Sequence, residues 1–209
     1  KPLKDLNDPE GEISLCTLSA INWGNIKDPS DFEKVCRLAV RGLDALLSYQ
    51  NYPILAAQLS TEKRRPLGVG IINFAYWLAK RDMNYQDVDA TGLALIDEYA
   101  EAWSYYLIKA SADLAAEQGA PSGNMETKYG HGITPNQTYK KDVDELVPHM
   151  ERMDWEGLRE QLKATGIRNS TLMALMPSET SAQIANATNG IEPPRSLISV
   201  KQSKHGVLK

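Results

Sequence analysis

Residues Thr171 to Gln183 read "TLMALMPSETSAQ", and the way this stretch folds decides the reading of the whole chain. Thr171 to Met176 is a short apolar run, suited to a strand buried on both faces, as in a parallel sheet. Pro177 lacks an N–H and can end that strand. Ser178, Glu179, Thr180 and Ser181 then fall in the first turn of a helix. Helix-start N–H groups have no intrahelical partner and lie at the positive end of the helix dipole, so a phosphate fits there. The hydroxyls of Ser178, Thr180 and Ser181 add donors. The same residues also suit an ordinary N-cap, with Ser178 or Thr180 satisfying a backbone N–H. Glu179 opposes an anion unless it is protonated or turned away. The residues themselves leave both readings open.

Outward from this stretch, strands and helices alternate and helices dominate. Downstream, Ser181 to Ala187 reads as a short helix, "NGIEPPR" (189 to 195) as a turn, and Leu197 to Leu208 as a hairpin turning at His205-Gly206. Upstream, Asp154 caps a helix to Thr165 that Gly166 stops, and residues 119 to 140 form a long surface loop. A long helix spans about Leu93 to Gln118, with Ile96, Ala100, Trp103, Leu107, Ala110 and Leu114 as its apolar seam, and Gly119 and Pro121 stop it. Leu67 to Arg81 reads as a buried helix entered through Arg64-Arg65-Pro66. Asp31 to Tyr49 is a helix capped by Asp31 and ended by Asn51-Tyr52-Pro53, with Phe32, Val35, Cys36, Ala39, Leu43, Leu46 and Leu47 on one face. Glu12 to Ala20 reads as a strand that contains Cys16. The fold class is therefore α/β with buried parallel strands.

Bulk properties narrow the function. A chain of 209 residues suits one domain, or a large piece of one, and buries roughly 70% of its unfolded surface. Its 42% hydrophobic and 24% charged content is that of a soluble globular protein. A net charge of −4 and a pI near 5.5 give no reason to expect nucleic acid or a membrane as partner. The longest apolar stretch, Leu67 to Ala79 with Asn73 inside it, is too short to span a bilayer. The polar start "KPLKDLNDPEGE" is no signal peptide. Two cysteines make no disulfide scaffold, so a reducing cytoplasm is expected and the sequons at Asn136, Asn169 and Asn186 are chance matches. The chain begins at Lys1 and closes inside a predicted strand, as a segment of something longer would.

Few residues offer chemistry. Cys16 is either a small buried hydrophobe or a redox thiol. Cys36 lies on a helix's apolar face and reads as packing. The two stand twenty residues apart and form no CxxC motif. Gly68-Val69-Gly70 lacks the third glycine of a dinucleotide fingerprint, because position 73 is Asn, and no strand is predicted before it. Tyr105-Tyr106 reads as helix packing. His131, His149 and His205 have neither metal-ligand spacing nor a Ser/His/Asp arrangement.

Five stretches together resemble one family, the large catalytic subunit of class I ribonucleotide reductase. They are "SLCTLSAIN" (14 to 22), "RRPLGVGIINFAYWLAK" (64 to 80), "YYLIKAS" (105 to 111), "GIRNSTLMALMPSETSAQIANATNGIEPPR" (166 to 195) and "VKQSKHGVLK" (200 to 209). The resemblance implies part of a ten-stranded α/β barrel. It implies an enzyme, a ribonucleoside-diphosphate reductase, that replaces the ribose 2′-hydroxyl by hydrogen through a thiyl radical, with a cysteine pair becoming a disulfide. It further implies that Cys16 is the second member of that pair. Pro177, Ser178, Glu179, Thr180 and Ser181 would hold the substrate diphosphate, which favours the anion reading over the cap. The family's partners would be a small subunit carrying a radical-generating metallo-cofactor and a thioredoxin- or glutaredoxin-type reductant. This segment itself is expected to bind no cofactor.

The departures from the family are as specific. The finger-loop motif Asn-x-Cys-x-Glu, the first redox cysteine, the ATP-binding cone, the effector site, the radical-relay tyrosine pair and the C-terminal tail with its two cysteines are missing from these 209 residues. Tyr105-Tyr106 does not stand in for the relay pair. Residues 1 to 209 are therefore expected to be a single segment of the catalytic barrel, inactive until the remaining segments of the large subunit are supplied. The alternative is a stand-alone nucleotide-binding or structural fragment without catalysis.

Overall fold

The computed structural model describes residues 3–5, 8–147, 149–196, 198, 200–203 and 206–208. Strand β1 (Leu18–Asn22) leads into helices α1 (Asp31–Tyr49) and α2 (Leu55–Arg64), and then into strand β2 (Gly68–Ile72). β1 and β2 pair in parallel, with Leu18 opposite Gly68 and Asn22 opposite Ile72. A short α3 (Phe74–Ala79) and the long α4 (Ala90–Gln118) follow, then a stretch of 3-10 turns, α5 (Trp155–Thr165) and α6 (Glu179–Ile184). A small antiparallel hairpin, β3 (Lys201–Ser203) with β4 (Gly206–Leu208), comes last. The helix-rich α/β architecture is the one expected from the sequence.

β2 is buried along its whole length. Such a strand reads as an unbroken apolar run, which explains why Leu67 to Arg81 looks like one helix. It is instead strand, turn and helix. Asn73 sits between β2 and α3 with φ 67°, a left-handed conformation that Asn tolerates and that neither a strand nor a helix continues through. Gly68 and Gly70 are needed because neighbouring chain lies against them. A Cβ at position 70 would stand 2.6 Å from the Ala174 carbonyl oxygen, and one at 68 would stand 2.5 Å from Leu18 Cδ2.

Other boundaries also move. The first strand covers 18–22 rather than 12–20, because regular pairing starts only where β2 lies alongside it. Cys16 is therefore outside the strand. Asp31 does not cap α1. It is the first helical residue, and its carboxylate accepts from the N–H groups of Lys27 and Asp28. Leu46 faces solvent, and Val40 takes a core position instead. Helix α2 has no counterpart among the expected elements, and neither do the 3-10 turns within 119–140. Asp154 caps α5 through Gly157 N–H at 2.9 Å, as the sequence indicates. The hairpin is present, but His205 lies outside the described residues.

Thr171 to Met176 runs parallel to β2 as an extended segment with a single ladder contact, Val69 to Met173. Val69 N–H donates to Leu172 O at 2.7 Å, and Ala174 N–H to Val69 O at 3.3 Å. It is not buried on both faces. Leu172 points into the core while Leu175 is 62% exposed, because helices cover only one face of this strand layer among the described residues.

The core lies between that layer and the helices. Trp23, Phe32, Trp77, Tyr99 and Trp103 form an edge-to-face aromatic cluster, with Trp77 and Tyr99 ring centres 4.9 Å apart. The Arg81 guanidinium lies over the rings of Trp77 and Tyr99. Tyr105 packs edge-on against Trp155, the packing role read from sequence. Buried Glu101 on α4 accepts from the N–H groups of Arg152 and Met153 and from Trp155 Nε1–H, which docks the entrance to α5.

A second buried carboxylate, Asp44 on α1, organises the strand layer. Arg65, which ends α2 with φ 45°, donates Nε–H to Asp44 Oδ1 at 2.6 Å and an Nη2–H to Oδ2 at 2.9 Å. Asn169 Nδ2–H donates to Asp44 Oδ1 at 2.9 Å and to Arg65 O at 3.0 Å, and Arg168 approaches Oδ2 at 3.3 Å. Ser111 on α4 completes the set through Asn169 Oδ1 at 2.8 Å. Burial by itself raises the Asp44 carboxyl. The hydrogen bond and charge of Arg65, then Arg168 and Asn169, outweigh burial and hold it below the usual carboxylate range.

Removing one partner of such a buried pair costs about 3–5 kcal/mol, so Asp44→Ala should lower the unfolding free energy by that amount in urea titrations. The pH dependence has a definite sign. Asp44 has a folded pKa below its unfolded one, so its contribution is complete above about pH 4 and disappears as pH falls through the folded value. Acid unfolding of Asp44→Asn should lack that component.

Candidate active site

The strand layer has one face against the helices and one open face. On the open face Leu18, Ala174 and Met176 cover the two glycines, which are buried beneath them. A Cβ at Gly68 would meet Ala174 Cβ at 3.0 Å, and one at Gly70 would meet Met176 Sδ at 3.2 Å. Leu18 is 46% exposed, whereas Ile21, Val69 and Leu172 face the core. All three extended segments run the same way, so Asn22, Asn73 and Met176 end at a common edge. In open parallel sheets that carboxyl edge is where ligands collect.

The structure brings Pro177, Ser178, Glu179, Thr180 and Ser181 together in one turn at this edge. Pro177, Glu179, Thr180 and Ser181 are exposed, and Ser178 is buried. Ser178 is the residue before α6 but makes no side-chain cap. Its hydroxyl donates to Met176 O at 3.1 Å, and its N–H donates to Asn189 Oδ1 at 2.9 Å. Ser178 thus shapes the turn from inside, while Thr180 and Ser181 present their side chains outward. α6 begins at Glu179, two residues before the expected start, so the first-turn N–H groups belong to this same turn.

Cys16 is exposed and is not brought beside the turn. It precedes β1 at the amino end of the strand layer. The pairing registers set it six positions upstream of Met176, roughly 20 Å of extended chain. Its segment is anchored by Ile13 N–H to Ala56 O, by Gly68 N–H to Thr17 O, and by Glu12 with Arg64 at 2.9 Å. The Arg64 hydrogen bond pulls the Glu12 carboxyl down to about 2. Cys36 is fully buried, with Sγ 3.9 Å from Trp103 O, and burial pushes its thiol far above the usual range.

Sequence reasoning missed three asparagines. Asn73 donates from Nδ2 to Asn22 Oδ1 at 2.9 Å and exchanges two hydrogen bonds with Thr188, while Asn189 holds Ser178. The available signal was Asn73 itself, a polar residue inside an apolar run. Asn169, one of the sequons, is fully buried and bonded to Asp44. A mostly apolar cavity of about 360 Å³ between α4 and the turns of residues 135–149 contains none of the expected site residues. Among the described residues, no three His, Cys, Asp or Glu side chains are grouped to hold a metal ion, and no helix is long and apolar enough to cross a membrane.

Comparison with known proteins gives one family. The family model described as "Ribonucleotide reductase, barrel domain" matches residues 5–209. The ribonucleoside-diphosphate reductase subunit alpha of Haemophilus influenzae is 55% identical over 209 residues, which is 100% of this chain and 27% of that protein. The ribonucleoside-diphosphate reductase 1 subunit alpha of Escherichia coli K12 is 56% identical over 163 residues, covering 78% of this chain and 21% of that protein. The subunit alpha of Enterobacteria phage T4 is 47% identical over 208 residues, 98% of this chain and 27% of its own length. The chain thus spans about a quarter of the length of the curated relatives it matches.

The two cysteines should separate cleanly by reactivity, since only an accessible thiolate alkylates. Brief iodoacetamide treatment of the folded protein followed by peptide mass mapping should label Cys16 and leave Cys36 unmodified until denaturant is added. Labelling of Cys36 at the rate of Cys16 would contradict the packing described here.

Proposed function

Because the chain belongs to the ribonucleotide reductase barrel-domain family, we propose that it is a segment of the catalytic subunit of a ribonucleoside-diphosphate reductase and supplies that enzyme's diphosphate-holding turn. The observation that carries this reading is the exposed turn of Pro177 to Ser181 at the carboxyl edge of three parallel segments. The substrate is a ribonucleoside diphosphate. Its phosphates take hydrogen bonds from the first-turn N–H groups of α6 and from the hydroxyls of Thr180 and Ser181. Ser178 and Pro177 fix the turn, and the exposed Glu179 stands at its rim. The nucleoside extends from the turn over Met176 and Ala174, which cover Gly70 and Gly68, in the direction of Cys16.

In this reading Cys16 is one thiol of a redox pair. A thiyl radical elsewhere in the complete subunit removes the 3′ hydrogen and returns it to C3′ at the end of the cycle, so the radical is regenerated. The 2′ oxygen leaves as water, the pair releases two electrons and two protons, and Cys16 ends in a disulfide. Return to the thiol requires a thioredoxin- or glutaredoxin-type reductant, and the radical comes from a small subunit with its own metallo-cofactor. An exposed cysteine whose segment is anchored upstream by Glu12 with Arg64 and downstream by Gly68 N–H to Thr17 O suits a thiol that must meet partners in turn.

A hydrogen bond to a charged group contributes about 1.5–3 kcal/mol, and about 1.4 kcal/mol is a factor of ten. Thr180→Ala should therefore weaken ribonucleoside diphosphate binding about tenfold or more, measured by calorimetry, while leaving binding of the nucleoside without phosphates unaltered. Equal affinity of the variant and the parent for the diphosphate would exclude the turn as the phosphate site.

A further inference from the structure

The turn is held from behind by side-chain amides rather than by its own cap. Ser178 N–H donates to Asn189 Oδ1 at 2.9 Å. Asn189 is itself held through its neighbour Thr188, which Asn73 grips in both directions. Asn73 N–H donates to Thr188 O at 2.8 Å, and Thr188 N–H donates to Asn73 Oδ1 at 3.1 Å. Asn73 Nδ2–H then reaches Asn22 Oδ1 at 2.9 Å. Asn73 is buried and left-handed, fixed between β2 and α3. A continuous path thus joins the ends of β1 and β2 to Ser178, the residue before α6.

We propose that Asn189, seated by Asn73, is a positioning residue for the diphosphate turn. This rests on the reading of that turn given above. Asn189 touches no phosphate in this scheme. It accepts the one N–H that would otherwise be a buried donor without a partner, and so fixes the plane of the peptide from which the next N–H groups fan out. Donors fixed before the ligand arrives need no reordering on binding. Without the Asn189 oxygen the Ser178 N–H loses its partner. The turn is left to the Ser178 hydroxyl bond with Met176 O and the Ala182 N–H bond to Ser178 O, and the following N–H groups are less firmly aimed. Binding then suffers while the chemistry of bound substrate does not.

The test uses the reductase that contains this segment, with inorganic pyrophosphate as a competitive probe of the turn alone. In Asn189→Leu, the pyrophosphate Ki and the KM for the ribonucleoside diphosphate should both rise about tenfold, with kcat changing less than about twofold. Asn73→Gly keeps the left-handed backbone and its N–H but removes both side-chain bonds, and it should raise the same two constants about threefold to fivefold. A fall in kcat at unchanged KM and Ki is the mark of a merely structural role and overturns the proposal. Should Asn189→Leu fail to fold, Asn73→Gly decides, and unchanged constants there overturn it. Two failures remain distinguishable. Pyrophosphate that does not compete in the unsubstituted enzyme overturns the diphosphate reading and this proposal with it. Pyrophosphate that competes equally well with and without the substitutions overturns the positioning role alone.

Discussion

One buried carboxylate fixes the relative placement of most elements that matter here. Asp44 lies on α1, its principal partner Arg65 joins α2 to β2, Arg168 and Asn169 begin the third extended segment, and Ser111 brings in α4. A charge taken out of water is tolerated only when its lone pairs are satisfied. Each partner is therefore held at hydrogen-bonding distance, and the starts of β2 and of the third extended segment are held with it. Arg65 shows how firm that demand is. Its left-handed backbone is uncommon for a residue with a side chain, yet the guanidinium must reach Asp44 from the point where α2 stops.

From that anchored end the strands run in parallel, and their far ends form the edge where the turn sits. The layout separates two duties. The Asp44 network sets strand direction at the amino end, and the asparagine path sets turn geometry at the carboxyl end. Between them Gly68 and Gly70 let Leu18, Ala174 and Met176 close over β2 on the side away from the aromatic core.

Much of this was legible in the sequence, for reasons that differ by element. α1, α4 and α5 were readable from their apolar spacing, and α5 also from Asp154 and Gly166. "TLMALMPSETSAQ" correctly signalled extended chain, a proline stop and a helix start. β2 was lost because a fully buried strand has no alternation, so "GVGII" merged with the apolar helix behind it. The two glycines and the β-branched residues between and after them were the local signal against a helix. Burial on both faces was expected of Thr171 to Met176, but burial depends on what packs against a segment, which its own residues do not encode. The turn residues were visible as a cluster. The amides that hold the turn were not, because Asn73 and Asn189 are 116 positions apart in the chain and acquire their roles only through Thr188.

The Asp44 network also sets an order of assembly. Arg65 lies 21 residues from Asp44 along the chain, while Asn169 lies 125 residues away. Short loops close at lower entropic cost than long ones. A ribosome also delivers Arg65 long before Asn169. The carboxylate is thus neutralised early, inside a β1–α1–α2–β2 unit, and acquires its last donors only when the segment carrying the turn arrives. The segment carrying the turn is locked in after that unit has formed, and until then β2 has one edge unpaired.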